Sequence, residues 1–321
     1  MYGFLVEQFG GLDAMVWTEL PDPVPGPREV VMDVKASGVN FAETRMRAGD
    51  YSGQPLPFVM GMEGAGVVSA IGSEVTEFKI GDRIMARVRG THAEKVAVGC
   101  EHAFHLPDNL SFEQGAAIPV GWQTAWHALI TVADLQENQR VLIEAVASSV
   151  GSAAMQIAKW KNCWVAGTGS RDDKLAIALE HGLDAAYNYK TTDLAAAVMR
   201  DTGNQGVDVG MMTIGQETAN ALLDSMAMSG QVVMYGSTGG RDVTFNLSIG
   251  IRNLQLKSMS ISTCPKFLPV TMTSFRNVAV PLFCSGLFIP VISEVLPMAA
   301  LPRAHEMINE RKHFGKVILV N

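Results

Sequence analysis

The chain has 321 residues, a net charge of −7 and 48% hydrophobic residues, enough for two apolar cores and without the basic run that a nucleic-acid footprint needs. Residues 1–20 lack a basic segment followed by an apolar one, and the charge-free apolar stretch 279–293 is broken by Pro281 and Pro290, so no secretory leader and no membrane span is expected. The four cysteines, Cys100, Cys163, Cys264 and Cys284, are scattered without metal or redox spacing and read as buried thiols of a reducing compartment, which points to the cytoplasm.

Along the first third, short runs rich in Val and Gly at 29–36, 64–71 and 83–88, with turns at Gly72 and Gly81-Asp82, predict a small, strongly bent β domain. Ser111-Phe112-Glu113-Gln114 has the form of a helix N-cap with an acidic first turn, and 116–132 reads as mainly helical, with Pro119 near its start. From Arg140 the rhythm alternates: strand 141–144, helix 151–160, strand 164–167, then a helix from Asp172 that Gly182 ends. Strand 185–188, helix 193–200, strand 206–211, helix 217–228 and strand 231–235 follow. Such alternation predicts an α/β fold with a doubly wound parallel sheet. After Gln255 the regularity fades, and the tail carries a helix over 304–311, a turn at Gly315 and a strand over 317–320. The expected division is 1–115 with 256–321 as one domain and 116–255 as the other.

The turn opening the first strand–helix–strand unit is Ala145-Val146-Ala147-Ser148-Ser149-Val150-Gly151. Aligned on G-x-G-x-x-G it keeps only the third glycine, Gly151, with Val146 and Ser148 at the other two. One reading is a pyrophosphate turn using Ser148, Ser149, Val150 and Gly151; the other is an ordinary turn capped by serine. A Cβ at position 148 crowds the phosphate approach. At the end of the next strand an NAD site carries an acidic residue, whereas this chain has Ser170, Arg171 and Lys174, a set suited to a 2′-phosphate. The alternative makes Ser170 a helix N-cap and the two cations solvated charges.

Several blocks together resemble the zinc-independent quinone oxidoreductase branch of the medium-chain dehydrogenase/reductase superfamily: residues 37–44, Gly49-Asp50-Tyr51, 61–68, Gly81-Asp82-Arg83, 150–154, 156–159, Asn188-Tyr189, Ala304-His305-Glu306 and Gly315-Lys316-Val317. The similarity runs almost end to end. It implies a GroES-like catalytic domain completed by the C-terminal tail, a Rossmann domain, an active site in a cleft, NADPH as cofactor, a small-molecule substrate and a homodimer. Zinc-dependent relatives place a cysteine near Asn40 and a histidine in the Gly-His-Glu block; Asn40 and Met62 stand there, so no metal is expected. The pair His102 and His105 has no further ligand nearby.

The chemistry that this resemblance implies is hydride delivery to a quinone or to a C=C conjugated to a carbonyl, with the protein supplying orientation and a donor for the developing oxyanion. Tyr51 resembles the tyrosine of 2-enoyl thioester reductases in the superfamily, or else packs as an aromatic ring. Asn40 bonds a substrate oxygen or a ribose hydroxyl, or is a satisfied turn residue. Arg45 meets an anionic substrate, or is a surface arginine paired with Glu43 or Glu63. Tyr189 matches a tyrosine near the adenosine 2′-phosphate, and Gly236 and Ser237, with Thr238, flank the nicotinamide. Met211-Met212 either softens a substrate wall or packs under the sheet. The rival to all of this is a repurposed, non-catalytic member whose nucleotide turn is degenerate.

Overall fold

A computed structural model describes residues 1–51, 53–240, 242–261 and 268–321, and Cys264 lies outside them. The chain forms two compact units, Met1–Gly121 with Arg276–Asn321, and Trp122–Phe275.

In the first unit, β1 (Tyr2–Val6), β2 (Val16–Glu19), β3 (Glu29–Val39), β4 (Phe58–Val59), β5 (Glu63–Ile71), β6 (Arg83–Arg87), β7 (Lys95–Gly99) and β8 (Ala103–His105) are joined by helices α1 (Phe41–Ala48) and α2 (Phe112–Ala116). β3 is the spine. It pairs with β5 along its length, but the register slips at Val31/Met32 and Val34/Ala36, and these bulges bend the sheet. Gly66 lies at the bend, where a Cβ would come within 2.0 Å of the Asp33 carbonyl oxygen. On its other edge β3 changes partner, bonding β7 from Glu29 to Asp33 and the C-terminal strand from Ala36 to Val39. Val30, Met32, Val34, Val68, Ile84 and Val98 fill one core, and Phe4, Val6, Met60, Leu301 and Leu319 fill another.

Pro119 breaks the helix expected over 116–132, because proline lacks the donor that continues a helix. α2 ends at Ala116 and α3 (Gly121–Trp126) starts afresh, running into a π-helical turn, His127–Val132.

The second unit contains β9 (Arg140–Ile143), α4 (Ser149–Trp160), β10 (Trp164–Gly169), α5 (Asp172–Glu180), β11 (Ala185–Asn188), α6 (Leu194–Asp201), β12 (Val207–Met212), α7 (Gln216–Asp224), β13 (Met226–Met234), α8 (Ser248–Ile251), β14 (Gln255–Ser258) and α9 (Leu268–Ser274). All five neighbouring strand pairs are parallel and the order is β11-β10-β9-β12-β13-β14. Val141, Leu142 and Ile143 are fully buried, as a strand covered on both faces requires. The helix expected over 217–228 stops at Asp224, since Met226 pairs with Val207 and that ladder overrides the helical propensity of the Met-Ala-Met run.

The chain then returns to the first unit through α10 (Val280–Cys284), β15 (Ile292–Pro297), α11 (Leu301–Asn309) and β16 (Lys316–Val320). Pro302 near the start of α11 moves that helix ahead of the expected 304–311, because proline is at home in a first turn. Cys100 and Cys163 are buried as expected, but Cys284 is exposed: it ends α10 on the solvent side while Phe283 takes the buried one. No helix among the described residues is long and apolar enough to cross a membrane.

Candidate functional site

The strand order of the second unit reverses direction between β9 and β12, and an open α/β sheet offers its ligand crevice at the carboxyl ends of the strands at such a point. The turn after β9 lies there. Ala145 has φ 51°, Val146 N–H bonds the Thr168 carbonyl at 3.1 Å, and Val146 is fully buried. Gly167 makes room for it, since a Cβ on Gly167 would meet the Val146 side chain at 2.7 Å. Gly151 performs the task of the third glycine: its Cβ would lie 2.4 Å from the Ala145 oxygen, so only glycine lets α4 pack this closely on the strand. Ser148 caps α4, its Oγ accepting the Gly151 N–H at 3.0 Å. The N–H groups of Ser149 and Val150 fall in the first turn, where a helix has no internal acceptor for them. The terminus of α4 therefore leaves first-turn donors without an internal acceptor, while the Gly151 N–H is taken by the chain's own serine.

At the next strand end the register pairs Gly169 with Asn188, so Ser170 and Tyr189 leave the sheet side by side. The N-cap of α5 is Arg171, not Ser170, and its side chain makes no capping hydrogen bond. Arg171 makes a two-point contact with Asp173, at 3.0 and 2.8 Å, which raises the guanidinium pKa and lowers that of the carboxyl. Asp172 and Asp173 offset the charges of Arg171 and Lys174 in sequence, and Asn188 Nδ2 donates to Asp172 at 2.7 Å. The exposed Arg171–Asp173 pair is of the kind that exchanges readily for a better anion.

On the other side of the reversal lies a carboxylate that the sequence marks only as the end of a strand. Glu144 is fully buried, and its oxygens accept the N–H groups of Thr213 and Ile214, both at 2.7 Å, and the Thr218 hydroxyl at 2.5 Å. Burial holds its pKa above the ordinary carboxylate value, and these three donors offset only part of that rise. Gly236 stands against Thr213, where a Cβ would lie 2.3 Å from Oγ1, and Thr238 N–H bonds the Thr213 carbonyl at 2.8 Å. Met211 and Met212 are buried at 0% and 2%, so they pack under the sheet and form no substrate wall.

The first unit holds Asn40, Arg45 and Tyr51. Asn40 precedes α1, whose Glu43 accepts the Asn40 N–H at 3.2 Å, and Gly49 ends the helix with φ 84°. The Asn40 side chain lies inside a buried polar network. Its Nδ2 donates to Glu43 and Glu63, both at 2.9 Å, while its Oδ1 accepts from Lys316 Nζ at 2.7 Å. Lys316 also donates to Glu63 at 2.5 Å, and the other Glu63 oxygen accepts the Val120 N–H at 2.6 Å. Glu43 meets His92 Nε2 at 2.6 Å, and His92 Nδ1 meets Ser37 Oγ at 2.8 Å. Burial alone would raise the Glu43 pKa, but His92 and the Asn40 amide hold it below the ordinary value. The Glu-His-Ser sequence of contacts has the connectivity of a nucleophilic triad, yet all three side chains are sealed from solvent. It is a structural network, whose members come from strands and turns too far apart in sequence to form a motif.

Arg45 pairs at 3.3 Å with Asp50, both half exposed, rather than with Glu43 or Glu63, which are committed to the interior. Tyr51 is half-buried, and its hydroxyl makes no hydrogen bond to the described residues. Among the described residues no three His, Cys, Asp or Glu side chains gather to hold a metal ion.

Residues 26–126 match the alcohol dehydrogenase GroES-like domain, and residues 149–273 match the zinc-binding dehydrogenase domain. The quinone oxidoreductase of Pongo abelii is 31% identical over 98% of this chain and 96% of its own. Among solved structures, an Escherichia coli quinone oxidoreductase complexed with NADPH superposes with a TM-score of 0.92 at 27% identity, covering all of both chains. A crystal structure described as an NAD-dependent alcohol dehydrogenase gives 0.89 at 29% identity, again covering all of both chains. The chain thus belongs to the quinone oxidoreductase-like branch of the medium-chain dehydrogenase/reductase superfamily.

Proposed function

We propose that the protein is an NADPH-dependent, zinc-independent reductase that passes hydride to a quinone or to an α,β-unsaturated carbonyl. The observation that carries this reading is the helix N-terminus at the strand-order reversal, with Gly151 packed on Ala145 and the Ser149 and Val150 N–H groups in the first turn. The Escherichia coli relative, described as complexed with NADPH, supports the same cofactor here.

In this reading Ser148, Ser149, Val150 and Gly151 hold the pyrophosphate, the Ser148 hydroxyl turning off the Gly151 N–H to make room. Ser170, Arg171 and Lys174 take the 2′-phosphate, with Arg171 released from Asp173, and Tyr189 lies along the adenosine. Gly236 and Ser237 flank the nicotinamide. A nicotinamide nucleotide held there would supply the hydride, and the proton that completes the reduction would come from a side chain or water. Tyr51 donates to the substrate's carbonyl oxygen, its hydroxyl being uncommitted among the described residues, and Arg45 lends positive charge once Asp50 lets go. Asn40, with both ends of its amide engaged, fixes the start of α1 and through it the segment carrying Arg45 and Tyr51. The substrate is a small molecule, the protein acts in the cytoplasm, and its assembly is a homodimer.

One observation favours a second reading, a repurposed protein that binds nucleotide weakly. Ser148 occupies a donor that the phosphate needs, and the charges at 171–174 cancel. Fluorescence titration with NADPH and NADH decides. Tight NADPH binding that Arg171→Ala or Lys174→Ala weakens about five- to thirtyfold, with NADH unaffected, supports the reductase. No binding of either nucleotide moves the assignment to the second reading.

A further inference from the structure

Glu144 continues β9, its N–H bonding the Met211 carbonyl at 3.1 Å, so its side chain leaves the sheet at the strand-order reversal. It reaches across from β9 to the turn that follows β12. Two successive backbone N–H groups, Thr213 and Ile214, converge on one of its oxygens, and the Thr218 hydroxyl in the first turn of α7 bonds the other. Such a nest normally receives an external anion; here the chain supplies the anion itself. The same turn then holds the next one. Thr213 O accepts the Thr238 N–H, Ile214 O accepts the Gly239 N–H at 2.7 Å, and Met212 O accepts the Tyr235 N–H at 3.1 Å. Tyr235 closes the circuit, its hydroxyl donating to the Glu144 carbonyl at 3.1 Å.

No cation among the described residues bonds this carboxylate. A buried charge without a cation is a poor route to stability, because an apolar side chain of similar volume is usually tolerated there or better. What a leucine cannot do is fasten the turn after β12 to the end of β9. We propose that Glu144 is a positioning residue of the nucleotide site: it sets the turns at 213–215 and 235–239 against the turn at 145–151, and so aligns the hydride-bearing end of the cofactor without touching it. This rests on the reading that the second unit binds a nicotinamide nucleotide.

Glutamine suits the site almost as well as glutamate. Its carbonyl accepts the two N–H groups, and its amide donates to Thr218, whose hydroxyl accepts as readily as it donates. Glu144→Leu has no acceptor at all. With NADPH and 1,4-naphthoquinone as probes, Glu144→Leu is expected to lose about ten- to a hundredfold in kcat while its NADPH affinity stays within about twofold. Its kinetic isotope effect with 4-deuterated NADPH should rise, and Glu144→Gln should restore kcat to within about threefold of the wild type. Hydrogen exchange at the amides of Thr213 and Ile214 should quicken in the leucine variant and not in the glutamine variant. Thr218→Val, which removes a single donor, gives a milder version of each effect if the leucine variant does not fold. The idea is overturned by wild-type kcat in Glu144→Leu, or by leucine and glutamine variants that lose kcat and affinity together. A wild-type protein that binds no NADPH sinks the nucleotide reading and the catalytic half of the proposal, while the exchange experiment still decides whether Glu144 is the anchor.

Discussion

Glu63 in the first unit and Glu144 in the second are both fully buried carboxylates, and they are satisfied by different means. Glu63 meets the Lys316 ammonium, a whole charge carried on a distant strand, whereas Glu144 meets only N–H and hydroxyl dipoles from one turn and its helix. The first arrangement is cooperative and unforgiving, since loss of one partner strands a charge in the interior. The second is local, and its loss is felt mainly by the turn it fastens.

The largest effect expected from this contrast comes from Lys316→Met. It leaves Glu63 buried without its cation and should cost about 3–5 kcal/mol in urea unfolding. Adding Glu63→Gln should recover much of that loss, and a double variant no better than the single one would break the charge side of the comparison.

Next comes acid. His305 is fully buried with neither ring nitrogen bonded to a described residue, and burial pushes its pKa from 6.5 down to about 4. The unfolded chain therefore binds the extra proton between those values. The contribution of His305 is complete above pH 6.5 and is lost as the pH falls toward 4, about 3 kcal/mol in all. Glu43, whose folded pKa is lowered from 4.5, adds its own loss only below that pH. His305→Leu should flatten the upper part of a stability–pH curve, and an unchanged curve would remove the histidine from the account.

Thr218→Val takes one donor from Glu144 and should cost about 1–2 kcal/mol by the same unfolding measurement, well below Lys316→Met. Equal losses would mean that the two carboxylates are not different in kind. The smallest effect is Ser148→Gly, which frees the Gly151 N–H and should tighten NADPH binding by up to about tenfold in a fluorescence titration. Weaker binding would instead make the Ser148 hydroxyl a ligand of the nucleotide.

The part of the fold visible in the sequence was the part written in short-range periodicity. Alternating strands and helices from Arg140 to Tyr235, the Gly182 stop and the packing glycine Gly151 are all local signals, and they match the structure except over 225–230, where β13 replaces the end of the expected helix. The helix α1 carried a local signal too, Asn40 with Glu43 three residues on and Gly49 at its end, but the surrounding β pattern hid it. The buried network had no such signal. Lys316 and Asn40 are 276 positions apart, and a lysine in an apolar tail strand looks like any strand terminus until the sheet brings it to Glu63. Glu144 was similarly silent, because its donors are backbone groups, which every residue has. Of the expected site residues, the second unit groups Ser148 to Gly151 on one turn and Ser170 with Tyr189 on the next strand ends, whereas Asn40 points inward, away from the exposed Arg45.

The placement of β16 has a consequence for how the protein is made. That strand lies between β15 and β3, and its first residue is Lys316. On the ribosome, every residue of Trp122–Phe275 emerges before Lys316 does. During that interval the second half of β3 has no partner on one edge, and Glu63 has no ammonium to meet. The contiguous second unit is thus free to fold on the nascent chain, while the first waits for the closing strand to leave the exit tunnel. A pause late in translation would hold open the unit that began to appear first.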